Sequence, residues 1–158
     1  MKTRTTTSYP YLMIAYAFIG LSIAIYDCYM IYTGQLLWCP PPIDGCNEVA
    51  YSPYGRIHGI PIGYFGIFFY SIMLALGAIL VFLPASRGIR RAAVIYTALG
   101  VCGSIAFAYL DVTLIRAFCV YCLISAILTV LLLLSAIAHL RVIGRDHSFI
   151  TARGISAA

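Results

Sequence analysis

Four long apolar runs, Tyr11–Thr33, Pro61–Leu83, Ala93–Ile115 and Cys119–Leu140, leave this chain few ways to fold. Each reaches the roughly 20 residues that a helix needs to cross the hydrocarbon core of a bilayer. In lipid every backbone N–H and C=O has to be paired within the protein, so such runs are helices. Hydrophobic residues make up 63% of the 158 and charged residues 9%, which excludes a soluble globule. The expected fold is an all-α integral membrane protein: a four-transmembrane-helix bundle forming one membrane domain over residues 1–158. Residues 34–60, between the first and second helices, form an extracytoplasmic cap loop.

The net charge of +5 divides by side rather than marking a nucleic-acid surface. Lys2 and Arg4 precede the first helix, Arg87, Arg90 and Arg91 lie between the second and third, and Arg141, Arg145 and Arg153 follow the fourth. Only Arg56 and Arg116 fall on the other side. Eight against two is a positive-inside bias. It places both termini in the cytoplasm and the loops 34–60 and 116–118 outside. The first apolar run is longer than a signal peptide's and is followed by no clear small-x-small cleavage site, so it is read as a retained span.

The cysteines obey the same division. Cys39, Cys46, Cys119 and Cys122 fall at the outer side or the outer membrane edge, while Cys28 and Cys102 lie within spans and are read as small apolar residues. Cysteines facing an oxidising compartment suggest disulfides. Cys119 and Cys122 stand at i and i+3 at the start of the fourth helix, on one face and within reach of a disulfide. Unpaired backbone N–H groups and the helix dipole favour a thiolate at Cys119, and nearby Arg116 is expected to help. Cys39 and Cys46 are separated by a turn-forming stretch, Pro40-Pro41-Pro42 and then Asp44-Gly45, which closes a disulfide easily. One pair on a loop reachable from water and another at the lipid edge suit an electron relay, because a thiolate attacks a disulfide through a mixed-disulfide intermediate.

Other residues carry two readings each. Tyr26, Tyr29, Tyr32 and Trp38 form an interfacial aromatic belt or, as the alternative, line a ligand pocket. Asp27 is read as an acid reaching water near its helix end, with proton delivery as the alternative. His58 either protonates a reduced ligand or rests among lipid headgroups. Asp111 is read equally as a proton relay and as a solvated helix end. Gly20 and Ala24 in the first helix, and Gly63, Gly66 and Ser71 in the second, are small residues suited to close helix contact. Gly59 and Pro61 bracket the start of the second helix, with Pro61 in its first turn. The short link at 115–118 makes the third and fourth helices antiparallel neighbours.

In order along the chain, Cys39, Gly45-Cys46, Ser52-x-Tyr54-Gly55, Gly59-Ile60-Pro61, Phe65-Gly66, Tyr109-Leu110 and Phe118-Cys119-x-x-Cys122 resemble the vitamin K epoxide reductase family. The resemblance implies a four-helix bundle around a quinone, capped by the first loop. It further implies that Cys39 exchanges with a partner's thiols, that Cys46 relays to Cys119, and that Cys122 reacts with the quinone. Ser52 matches the family's loop serine, a hydrogen-bonding residue that fixes the loop. Ser52, His58, Tyr64, Phe65, Asp111, Tyr121 and Cys122 are the candidates for the quinone's surroundings. The cofactor is expected to be menaquinone, ubiquinone or vitamin K. Ile62 and Ala126 stand where vertebrate members carry a quinone-contacting asparagine and tyrosine, which puts epoxide chemistry in doubt. The Gly-Ile-Pro sequence is closer to microbial members that oxidise thioredoxin-like proteins, so a separate thioredoxin-fold (DsbA-like) protein is the expected partner, with membrane lipid and no nucleic acid.

Three rivals are weighed against this reading. Four cysteines can hold zinc, but the spacing of Cys39 and Cys46 is wider than usual and no metal is expected. A structural four-span protein of the claudin sort accounts for Trp38-Cys39 and Cys46 but not for the second cysteine pair. A vitamin K or quinone epoxide reductase shares the chemistry and differs in the oxidant.

Overall fold

A computed structural model describes residues 3–41, 45–84 and 86–155, with side chains for those between 8 and 142. The prolines and Asp-Gly turn expected between Cys39 and Cys46 lie partly outside the described residues, at Pro42 and Asp44; the side chains of Lys2, Arg4, Arg145 and Arg153 lie outside them too. In chain order the elements are α1 (Thr3–Thr33), α2 (Cys46–Tyr51), a 3₁₀ turn (Pro53–Gly55), strands β1 (Arg56–Ile57) and β2 (Ile60–Pro61), α3 (Gly63–Phe82), α4 (Arg87–Leu110), a π turn (Asp111–Ile115) and α5 (Val120–Ile155). Four segments are long and apolar enough to cross a membrane: Ser8–Thr33, Gly63–Phe82, Arg87–Ile115 and Val120–Val142. The protein is an integral membrane four-helix bundle.

Several boundaries differ from the sequence expectation. The helix of the third span begins at Arg87 rather than near Ala93, and α5 runs on to Ile155 rather than ending at Leu140. Backbone hydrogen bonding extends a helix past its apolar stretch wherever no proline interrupts it, so hydropathy alone underestimates its length. Pro61 lies in β2, two residues before α3 begins, rather than in the helix's first turn. The cap loop is also more ordered than a non-helical piece: it holds α2, the 3₁₀ turn and a two-strand hairpin with Arg56 opposite Pro61 and Ile57 opposite Ile60. His58 and Gly59 form the hairpin's turn with φ of 51° and 83°. A two-residue turn of this kind needs left-handed backbone at both positions.

Helix α1 packs against α3 and α5, and α4 against α5. The α1–α3 seam is built as its small residues predict. The Tyr70 ring lies directly over Gly20, leaving no room for a Cβ, and a Cβ at Gly66 would come 3.3 Å from that of Ala24. Tyr70 is fully buried, and its Oη reaches Ser125 Oγ at 2.8 Å and the Ser125 carbonyl at 3.1 Å. That ties α3 to α5 with a polar group satisfied inside the bundle, worth about 1 kcal/mol per net bond. Ser71, in contrast, faces outward and takes no part in the seam. Tyr26, Tyr29, Tyr32 and Trp38 are all exposed, the disposition of an interfacial belt.

The hairpin-like path of the spans brings residues 34–41, 45–62 and 111–119 to one end of the bundle. At the opposite end, the Tyr9 and His139 rings lie 6.4 Å apart, and Arg90 is buried near them.

Candidate functional site

The cap end holds a second apolar cluster, separate from the bundle core. Ile31, Leu37, Cys46, Val49, Ala50, Ala117 and Cys119 form its buried part, and Cys39, Tyr121 and Cys122 pack against it. All four cysteines of the two predicted pairs therefore share one cluster. Cys39 and Cys46 are joined as a disulfide with Cα atoms 6.3 Å apart, while Cys119 and Cys122 are free thiols. Cys39 and Cys122 are half-buried, whereas Cys46 is 0% exposed and Cys119 is 8% exposed.

Specific contacts seat the loop on the start of α5. Asn47 brackets Leu37, accepting from its N–H at 2.7 Å and donating to its carbonyl at 3.1 Å. Tyr51 Oη donates to the Gln35 carbonyl at 3.0 Å, and Tyr121 Oη to the Trp38 carbonyl at 2.6 Å. The last bond links the fourth span to the residue beside Cys39. Gly45 lies so close to the next segment that a Cβ would come 2.8 Å from both Ala117 Cβ and the Phe118 nitrogen. Only glycine permits that approach of backbone to backbone, and it sets Cys46 beside the stretch that ends in Cys119. Ser52 donates from Oγ to the Val49 carbonyl at 2.8 Å and accepts from the Gly55 N–H at 2.9 Å, joining α2 to the 3₁₀ turn.

Cys119 stands immediately before α5. Its carbonyl accepts the first helical bond, from the Leu123 N–H at 3.0 Å, and its Sγ accepts from the Cys122 N–H at 3.3 Å. It thus occupies the N-cap position, where a side-chain acceptor satisfies an otherwise unpaired helix N–H. The Cys122 thiol's hydrogen bond, with backbone donors from Cys122 and Tyr121, holds the Cys119 thiol below its ordinary pKa; burial and the Asp27 carboxylate oppose this. The expected help from Arg116 is not what lowers it. Arg116 is exposed with a left-handed backbone (φ 56°), turning the chain from the π turn into α5, and the stabilising groups are hydrogen-bond donors instead.

Below the cap cluster a cavity of about 520 Å³ opens between the helices, with Cys119 and Cys122 on its wall. This lies within the roughly 300–1,000 Å³ usual for small-molecule sites. Its lining is mostly aromatic and aliphatic, including Phe65, Phe69, Tyr96 and Phe107. Phe69 and Tyr96 stack with centroids 5.0 Å apart. Ile62 and Ala126 both line it, so the two positions singled out from the resemblance face the cavity with apolar side chains. The donor set fits a flat, largely apolar electron acceptor: redox-capable sulfur at one end, ring faces along the walls, few polar atoms.

Of the residues expected near the quinone, Phe65, Asp111, Tyr121 and Cys122 line the cavity, and Ser52, His58 and Tyr64 do not. Ser52 is occupied by the loop, His58 is exposed at the hairpin turn, and Tyr64 is exposed on α3. A helix residue's neighbour in sequence points about 100° away, which separates Tyr64 from Phe65. Asp27, read as an acid reaching water, instead lies half-buried on the cavity wall. A Cβ on Gly63 would come 2.9 Å from its Oδ2. Its presence in an apolar span was the available signal, since an acid within a membrane helix is costly and marks a functional candidate. Among the described residues no three His, Cys, Asp or Glu side chains converge as metal ligands.

A search of curated proteins finds no match to this chain. The sequence does match the profile of the vitamin K epoxide reductase family over residues 11–137, from the first span into the fourth and including both cysteine pairs. With most of its length covered by that match, and the bundle and cap to go with it, the chain belongs to the vitamin K epoxide reductase family.

Proposed function

We propose that this membrane redox protein passes electrons from the dithiol of a thioredoxin-fold partner, through Cys39–Cys46 and then Cys119–Cys122, to a quinone in the cavity, and so supports disulfide formation outside the cytoplasm. The observation that carries the reading is the shared cluster: the loop disulfide and the thiol pair are packed together, and only the thiol pair touches the cavity. In the proposed order the partner's thiolate attacks the half-buried Cys39, releasing Cys46. The partner's second thiolate displaces Cys39 from that mixed disulfide; Cys46 attacks Cys119 of an oxidised Cys119–Cys122 pair, releasing Cys122, and Cys39 then attacks Cys46, re-forming the loop disulfide and releasing Cys119. The freed Cys122 faces the acceptor. Each step is a thiolate displacement on sulfur. In this order an oxidised loop pair beside a reduced inner pair is the stage after internal transfer and before the acceptor is reduced. Phe65 and Tyr121 are proposed to bracket the quinone. The apolar side chains at Ile62 and Ala126 favour reduction of a plain quinone over an epoxide.

Replacing Cys39 and Cys122 together with alanine leaves Cys46 and Cys119 as the only members of the two pairs. On mild oxidation the double variant is expected to form a Cys46–Cys119 disulfide in most molecules, read by peptide mass spectrometry. Recovery of both thiols unpaired, in folded protein, sinks the relay.

A further inference from the structure

Two acids face the cavity from different elements. Asp27 comes from α1, and Asp111 opens the π turn after α4; they are the only charged side chains among its lining residues. Asp111 is 7% exposed. Neither carboxyl has a hydrogen-bond or ion-pair partner among the described residues, unlike three of the hydroxyls around them. Tyr70 is engaged with Ser125, Tyr121 with the Trp38 carbonyl, and Thr129 with the Ser125 carbonyl. Both carboxylates lie within electrostatic reach of Cys122, and Asp27 also of Cys119. A π turn inside a span is itself a feature that concentrates at functional sites, and this one sets Asp111 on the wall of the cavity that Cys119 and Cys122 also line.

Oxidising the inner pair releases protons as well as electrons. Two S–H bonds break and one S–S bond forms; the quinone accepts two electrons and two protons and leaves as hydroquinone. An apolar cavity with no cation on its wall has little else to move those protons. Resting on the quinone reading above, we propose that Asp27 and Asp111 are the proton-transfer groups of this site. Each takes a proton given up by the Cys119–Cys122 thiols as they oxidise and delivers it to an oxygen of the acceptor. Carboxyls near an apolar reaction centre suit this task, because positioned acids and bases contribute roughly 10²–10⁴-fold to such transfers.

The test is single-turnover reduction of a short-chain menaquinone by pre-reduced protein in lipid nanodiscs, comparing wild type with Asp27→Asn, Asp111→Asn and the corresponding glutamate variants. The asparagine variants are expected to form hydroquinone at least about tenfold more slowly, and the glutamate variants to recover most of the rate. Infrared difference spectra on quinone addition, taken without turnover, are expected to show a perturbed carboxyl band that shrinks in each asparagine variant. Cys46–Cys119 trapping in the Cys39→Ala, Cys122→Ala background should be unchanged by either substitution, which reports that the cap end is intact. Asparagine variants at the wild-type rate overturn the assignment, as does equal slowing by asparagine and glutamate, which marks a packing role. Trapping of the disulfide in the double variant together with no quinone reduction by wild-type protein overturns the parent reading and this one with it.

Discussion

Cys119 illustrates how much one backbone position does. As the N-cap of α5 it receives the Cys122 N–H on its sulfur, and the Cys122 thiol adds a second donor. Donors to the charged form favour it, so the thiolate forms at lower pH than in an ordinary cysteine. Removing the Cys122 donor should reverse this. In Cys122→Ala the pH midpoint of Cys119 alkylation is expected to rise relative to wild type, and in Cys122→Ser to rise less, since a hydroxyl still donates. Midpoints rather than rates are the measurement, because a buried thiol reacts slowly at any pH. An unchanged midpoint in Cys122→Ala would assign the shift to the helix N-terminus alone. The Cys-x-x-Cys motif made this pair legible in the sequence, and so did its place at the mouth of an apolar run. The source of thiolate stabilisation was not legible. Arg116 is close in sequence but turned out to solvent by a left-handed residue, a conformation that sequence proximity does not report.

At the scale of elements, the cavity follows from how α4 meets its neighbours. Gly100 gives way to the Phe69 ring, whereas a Cβ on Gly103 would meet nothing within 4 Å, although Gly103 also lines the cavity. A side chain there starts in open space, and leucine improves helix propensity by somewhat under 1 kcal/mol. Gly103→Leu is therefore expected to raise the KM for quinone about tenfold or more while leaving thermal unfolding and Cys46–Cys119 trapping as in wild type. A wild-type KM would mean that the acceptor sits elsewhere. The small residues of α1 and α3 could be read as contact positions from their spacing, and Gly20, Ala24 and Gly66 are such. Ser71 has the same size but the wrong angular position on α3, and faces outward. Spacing names candidates for a seam; rotation of the helix chooses among them.

For the whole molecule, the spans bring the two loops that carry the cysteine pairs to one end, which the arginine distribution predicts to be the outer one. Treating intact cells with a mild reductant and then a membrane-impermeant maleimide should label Cys39, with Cys39→Ala abolishing that label; labelling only after the membrane is breached would invert the orientation. The chain by itself determined that there are four membrane helices, because about 20 apolar residues in lipid have no other way to pair their backbone. It also determined that both cysteine pairs share a side, because two crossings lie between them and an even number returns the chain to the same face. Only the tertiary structure decided that the pairs share a packed cluster, that Gly45 seats the loop against Ala117 and Phe118, and that Asp27 turns toward the cavity rather than toward water. Those outcomes depend on the rotation of each helix about its own axis and on close contacts between segments far apart in the chain. Local hydropathy carries neither.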